Sequence, residues 1–344
     1  MNRSTVCAMK LAPLAIIGLL ASLAGCDQSV NESKTSLAAG NKAIGSKQFD
    51  QAIVDCQKAA DKWRDNHSAY WCLGIAYSKK GDWGKAVDAY AETVKLAPEQ
   101  SMYQMWYGVS LYEKAVASAR DDQARKENKK PEEIQDVDLG SINFEKPIQH
   151  LTEAVKLNDG LWRAHYYLGK IYRHTDKPKD GAEQLSKAIA ANPREPGPYV
   201  GLGELYRKWD YTDQAIKVAQ AGTVNVPGQN EVSDIWFVLG MGYDDKRSDK
   251  EAIEAFTKAI ETRKDNHKAK FQRGQAYFRQ KDYLNAKRDL EEFAKASGAS
   301  LDFAKQQASK MLMDIAVATA PKDAPPTEKQ SPEDLVNGKK GKKK

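Results

Sequence analysis

Through most of the chain, apolar residues recur at the spacings of a helix face, and polar residues fill the positions between. Residues 70–79 and 85–96 are two such amphipathic stretches, split by the turn pair Gly81-Asp82. Apolar positions at i, i+3, i+4 and i+7 predict α-helices, and Gly with Asp punctuates them. The local element is a hairpin of two helices.

The hairpin returns every 34 residues. With residues 67–100 as the template, units begin near Ser33, His67, Ser101, Trp162, Pro196, Ser233 and His267. The eighth position is glycine in every unit: Gly40, Gly74, Gly108, Gly169, Gly203, Gly240 and Gly274. The eleventh is mostly aromatic (Tyr77, Tyr172, Tyr206, Tyr243, Tyr277), with Ala43 and Leu111 as exceptions. The twentieth is small in six units, as Ala52, Ala86, Gly181, Ala215, Ala252 and Ala286. Small residues at eight and twenty let the two helices cross closely, and larger ones at seven, eleven and twenty-four fill the remaining space. A single hairpin cannot bury its apolar face, so neighbours must stack.

In this register the chain resembles the tetratricopeptide repeat (TPR). The resemblance covers roughly residues 33–298 and implies an all-α fold: a right-handed α-solenoid of seven TPR helix-turn-helix hairpins. A C-terminal capping helix is expected over 300–318. It has Leu301, Ala304, Ala308, Met311, Leu312 and Ile315 on one face and polar residues on the others. Two insertions interrupt the period. The larger falls within the third unit, at about 113–142. Its Ala- and charge-rich first part suits a prolonged helix and its second part a loop, either as a plain hairpin extension or as a functional arm. Pro147 replaces the small twentieth residue there, which is tolerable only in the first turn of a helix. The smaller insertion lies near residues 228–231. After residue 318 the composition turns Pro- and Lys-rich, so 319–344 is expected to be a disordered basic tail.

The N-terminus follows another logic. Arg3 and Lys10 precede an apolar run over 11–25, too short for an ordinary spanning helix and suited to a secretory signal. The run closes on Leu23-Ala24-Gly25-Cys26, which resembles the bacterial lipoprotein signal. That resemblance implies a signal peptide at 1–25, lipidation of Cys26 with acyl chains such as palmitate, and a lipidated linker at 26–32. Several acyl chains on one residue make a stable membrane anchor. Asp27 next to that cysteine favours the inner membrane under the enterobacterial sorting rule, with the outer membrane still open.

Formal net charge is +6, but the first 25 residues and the Lys-rich tail carry most of it, leaving the body nearly neutral. That gives no reason to expect nucleic-acid binding. Motifs of metalloproteases, serine hydrolases, P-loop nucleotide binders and dinucleotide binders are missing from the sequence. The five histidines have no metal-ligand spacing, so neither an enzyme nor a cofactor is expected. Cys56 and Cys72 lie on adjacent antiparallel helices, each eight residues from Arg64 in the connecting turn. They sit at equal height as a possible disulfide or as two small buried hydrophobes.

The remaining candidate surface is the concave face. In the TPR family, defined positions of each first helix line an inner groove. Carried onto this chain they include Trp71, Met105, Trp106, Tyr112, Arg163, Tyr166, Tyr167, Lys170, Arg173, His174, Arg207, Lys208, Phe237 and Phe271. Units four and five contribute a basic wall beside two tyrosines, whereas unit six is acidic through Asp234, Asp244 and Asp245. Arginine and aromatic residues are enriched where proteins meet proteins, although both can also serve packing and solvation. The sequence therefore reads as a lipid-anchored, periplasm-facing scaffold or adaptor of the cell envelope. It would bind partner proteins or peptides, in the manner of repeat lipoproteins that assist envelope machines. The alternative is a periplasmic receptor for a sugar or cell-wall fragment.

Overall fold

The computed structural model describes residues 16–134, 137–175, 177–296 and 302–320, with side chains from Gln28 onward except at positions 229 and 302. The expected lipidation site Cys26 and the basic tail beyond Ala320 lie outside the residues so described. Within them the protein is all-α and contains no strand. Its helices divide between two compact units.

The first unit holds α1 (Ile16–Gly45), α2 (Phe49–Lys62), α3 (His67–Lys80), α4 (Trp83–Leu96), the start of α5 (Ser101–Glu127) and α6 (Glu145–Leu157). The second holds the rest of α5 and the segment to Ser141. It continues with α7 (Trp162–His174), α8 (Pro178–Ala191), α9 (Pro196–Lys208), α10 (Thr212–Asn225), α11 (Gln229–Asp245), α12 (Asp249–Thr262), α13 (His267–Arg279), α14 (Tyr283–Ala294) and α15 (Asp302–Thr319). In the first unit α1 to α4 pack in succession, and in the second α7 to α15 pack as hairpins that stack one on the next. The insertion does prolong α5, which runs for 27 residues before a 3-10 turn at Pro131–Glu133. Pro147 is the third residue of α6, where its missing N–H breaks no helical bond.

The glycine at position eight acts through its missing side chain. A Cβ on Gly169 would lie 2.5 Å from Cγ of Leu185, and one on Gly240 would lie 2.5 Å from Cδ1 of Phe256. Leu185 and Phe256 both stand at position twenty-four of their own units and are fully buried. In the fifth unit position twenty-four is only Ala219. There Val238 of the next hairpin takes up the space, 2.6 Å from where a Gly203 Cβ would be.

In five of the hairpins the inner turn depends on position fifteen. Lys47, Gly81, Asp210, Arg247 and Lys281 all have φ between +58° and +76° there. Only Gly81 is the residue type suited to that conformation, and it lies just before Asp82, whose carboxylate accepts from the Lys85 N–H at 3.1 Å.

Between hairpins a buried polar contact recurs 200 residues apart. Ser33 Oγ donates to the Ala59 carbonyl at 2.6 Å, and Asn66 Nδ2 donates to Ser33 Oγ at 3.0 Å. Ser233, Ala259 and Asn266 repeat it at 2.8 and 3.0 Å. Cys56 on α2 and Cys72 on α3 are joined as a disulfide with Cα atoms 5.9 Å apart, beneath Gly40. At the far end α15 packs on α14 and α13 through Ala308, Leu312 and Ile315. The capping helix is less solvating than expected, since Phe303 and Val317 are 72% and 80% exposed.

Candidate functional site

In the second unit the first helices of the hairpins, α7, α9, α11 and α13, stand side by side. A cleft of about 480 Å³ opens between α7, α9 and α11. Its floor is low because α9 begins Pro196-Gly197 and carries Gly201 one turn on. A Cβ on Gly197 would sit 2.9 Å from Cζ of Tyr166, so the tyrosine ring lies against the start of α9 only because glycine leaves room. Tyr166, Lys170 and Arg173 form the α7 wall, Glu204 projects from α9, and Glu231 and Asp234 form the α11 wall, with Arg263 beside them.

Two cations of the expected basic wall, Arg173 and Arg207, meet carboxylates, as do Arg263 and Arg279 beyond it. Arg173 pairs with Glu204 of the next first helix. Arg207 makes a bidentate pair with Asp245, with N–O distances of 2.6 and 3.0 Å. Arg263 donates to Asp234 at 3.1 Å, and that carboxylate raises the guanidinium's pKa against the effect of burial. Arg279 binds Asp244 and Asp249, and although burial opposes its charge, the two carboxylates win and raise its pKa. The acidic sixth unit thus neutralises cations from the units on both sides.

Lys170 retains a different role. Its ammonium lies 4.9 Å from the ring centroid of Tyr167 and 5.6 Å from that of Tyr166, within range of cation–π attraction. The two rings meet edge to face at 5.6 Å. Half-buried His174 reports on the local field: burial first, then the positive charges of Arg173, Lys170 and Lys208, push its pKa down to about 4. The imidazole is therefore neutral at pH 7, and three cations converge on it.

Among the residues expected in a groove, Tyr166, Lys170 and Arg173 come together in this cleft. Arg207 and Lys208 line a second, more polar cleft of about 510 Å³, which shares Glu204 with the first. Arg163 instead stacks over Trp162 at 4.6 Å. Phe237 is half-buried against Phe256, 5.9 Å between ring centres.

In the first unit, half-buried Trp71 packs on Tyr90 and Tyr103, and Trp106 is also half-buried. Three expectations need correction. Met105, Tyr112 and Phe271 are core residues, 2%, 2% and 7% exposed; Tyr112 stacks on Phe144 at 5.4 Å and Phe271 packs on Phe293 at 4.8 Å. Phe271, at position five of its unit, turns toward the hairpin's own second helix. Asp234, expected as part of an acidic sixth unit, is there, whereas Glu204, Glu231 and Arg263 were not anticipated. The available signal was opposite charge about one repeat length away along the sequence.

Among the described residues no three His, Cys, Asp or Glu side chains are placed to hold a metal ion, and no helix is long and apolar enough to cross a membrane.

The tetratricopeptide repeat model matches residues 67–100 and again residues 238–300. The protein carries TPR repeats. Hsp70-Hsp90 organizing protein 2 of Arabidopsis thaliana is 23% identical over 222 residues, which is 58% of this chain and 36% of that protein. Superkiller complex protein 3 of Mus musculus is 32% identical over 96 residues, 27% of this chain and 6% of that one. The chain thus spans about a third or less of these curated relatives. Among solved structures, Pseudomonas aeruginosa pilF superposes with a TM-score of 0.52 at 16% identity, covering 75% of this chain and 99% of its own. The C-terminal part of a TPR protein from Cytophaga hutchinsonii gives 0.55 at 13%, covering 80% and 99%. These likenesses establish a TPR solenoid fold.

Proposed function

We propose that this TPR protein is a lipid-anchored scaffold of the bacterial cell envelope that holds an extended segment of a partner protein along α7, α9 and α11. The observation that carries the reading is the paired cleft. Two open depressions share Glu204, the first spanning α7, α9 and α11 and the second at the C-terminal ends of α9 and α11, which suits an extended chain better than a compact sugar. Tyr166 supplies apolar surface, and Lys170, held over two rings, supplies a charge at little cost in side-chain entropy. Because carboxylates already neutralise Arg173, Arg207 and Arg263, the cleft offers both signs of charge, and its ligand is a mixed-charge segment more than a polyacidic one. The lipobox-like run ending at Cys26 supports anchoring, with the array facing the periplasm and Asp27 favouring the inner membrane.

Two variants test the halves of this reading. Tyr166→Ala with Lys170→Glu should remove discrete partners from a crosslinked membrane purification while leaving helicity intact; an unchanged set of partners would move the binding surface elsewhere. Cys26→Ser should abolish fatty-acid labelling and release the protein from membranes, and persistent labelling would overturn the anchor.

A further inference from the structure

A separate groove of the second unit, about 540 Å³, takes no part in the reading above. It runs between the second helices α10 and α12, with α11 beneath. Trp236, Leu239 and Ile253 give it an apolar floor. Tyr243 closes one side, its hydroxyl accepting from Gln220 Nε2 at 3.0 Å. The rim is acidic: Glu251, Glu254 and Glu261 face a single lysine, Lys258, which is paired with Glu261 at 2.8 Å. Glu251 and Glu254 are exposed and form no ion pair among the described residues. Apolar surface beneath two uncompensated carboxylates selects a ligand with an apolar anchor followed by cations.

The chain contains such a segment. Leu335-Val336 is followed at once by Asn337-Gly338 and then by five lysines, Lys339, Lys340, Lys342, Lys343 and Lys344. It follows α15, which belongs to the same unit as the groove. Successive packed helices lie about 8–10 Å apart, and α13 and α14 come between α12 and α15 in the packing order. The 15 residues from Ala320 to Leu335 would span about 20 Å as a flexible coil and up to about 50 Å when extended. A tether of that length sets an effective concentration in the millimolar range, so weak complementarity is enough for occupancy.

We propose that residues 335–344 dock in this groove, with Leu335 and Val336 on Trp236 and Ile253 and the lysines against Glu251 and Glu254. The test uses the full chain with a benzophenone amino acid in place of Leu335, irradiated and mapped by mass spectrometry. The expected product is an intramolecular adduct on the peptides containing Trp236 or Ile253. Its yield should fall several-fold in the exposed-site variant Glu251→Lys/Glu254→Lys, and likewise on raising salt to about 0.5 M, where charge attraction is screened. Adducts scattered over other helices, adducts between copies, or a yield indifferent to the charge reversal would each overturn the proposal.

Discussion

Replacing Gly240 with alanine sets two opposed effects against each other at a position where the structure decides the sign. In a helix interior, Gly→Ala is favourable by about 1 kcal/mol because alanine loses less backbone entropy. At Gly240 the added Cβ would stand 2.5 Å from both Cδ1 and Cε1 of Phe256. That ring is fully buried and packs on Phe237, so it has little freedom to retreat. Overpacking of a filled core costs about 1–3 kcal/mol, with the larger values where the neighbour is rigid. The net expectation is a loss of about 1–2 kcal/mol and a thermal midpoint lower by about 3–6 °C. Gly45→Ala is the control, because a Cβ there meets nothing within 4 Å; it should be neutral or stabilising. The assay is urea and thermal unfolding followed by helical circular dichroism, fitted without assuming a single transition because repeat arrays can lose cooperativity. Phe256→Leu in the Gly240→Ala background should recover part of the loss as a measurable coupling. If Gly240→Ala raises the midpoint as the control does, close helix crossing is not what the glycine serves.

Reduction should lower the unfolding midpoint through loss of the Cys56–Cys72 link, whose separation of 16 residues corresponds to about 3 kcal/mol of chain entropy; thiol counting on the unfolded, unreduced chain should find neither cysteine reactive. His174 should titrate near pH 4 by NMR. Its folded pKa lies below the ordinary 6.5, so the unfolded chain binds the proton more readily and stability falls as pH drops from about 6.5 to 4; His174→Asn should flatten that slope. Asp289, 1% exposed and doubly bonded to Arg273 at 2.6 and 2.9 Å, should be costly to neutralise. Asp289→Asn should lose about 3 kcal/mol in urea unfolding by stranding a buried guanidinium, whereas Lys258→Ala, which removes an exposed pair, should change stability by less than about 1 kcal/mol.

The repeat register was legible because packing enforces it: a side chain at the position-eight glycine would clash with the large residue that fills the crossing, as with Leu185, Val238 and Phe256. Pro147 could be placed in the first turn of its helix because a missing N–H is harmless only there. The hairpin turns were less legible. Lys47, Asp210, Arg247 and Lys281 hold a left-handed conformation that only Gly81 advertises. The cations and the acidic sixth unit were legible one by one, but their pairing was not. Arg173 and Arg207 were visible as cations, but their partners Glu204 and Asp245 lie 31 and 38 residues away, and only stacking of adjacent hairpins brings them together. Met105, Tyr112 and Phe271 were misplaced because a position in the repeat does not by itself say whether a first-helix side chain ends in the groove or in the core.

The claim that the α7–α9–α11 cleft holds a partner protein is tested most directly by placing a photo-crosslinking residue at Val200, on the cleft floor between Tyr166 and Asp234. In living cells the full chain should then yield a discrete protein adduct that disappears with Lys170→Glu. The same probe at Lys187, on the second helix of the fourth repeat, should yield none. An identical adduct from both positions, or one from Val200 that survives Lys170→Glu unchanged, would contradict the assignment of this cleft as the binding surface.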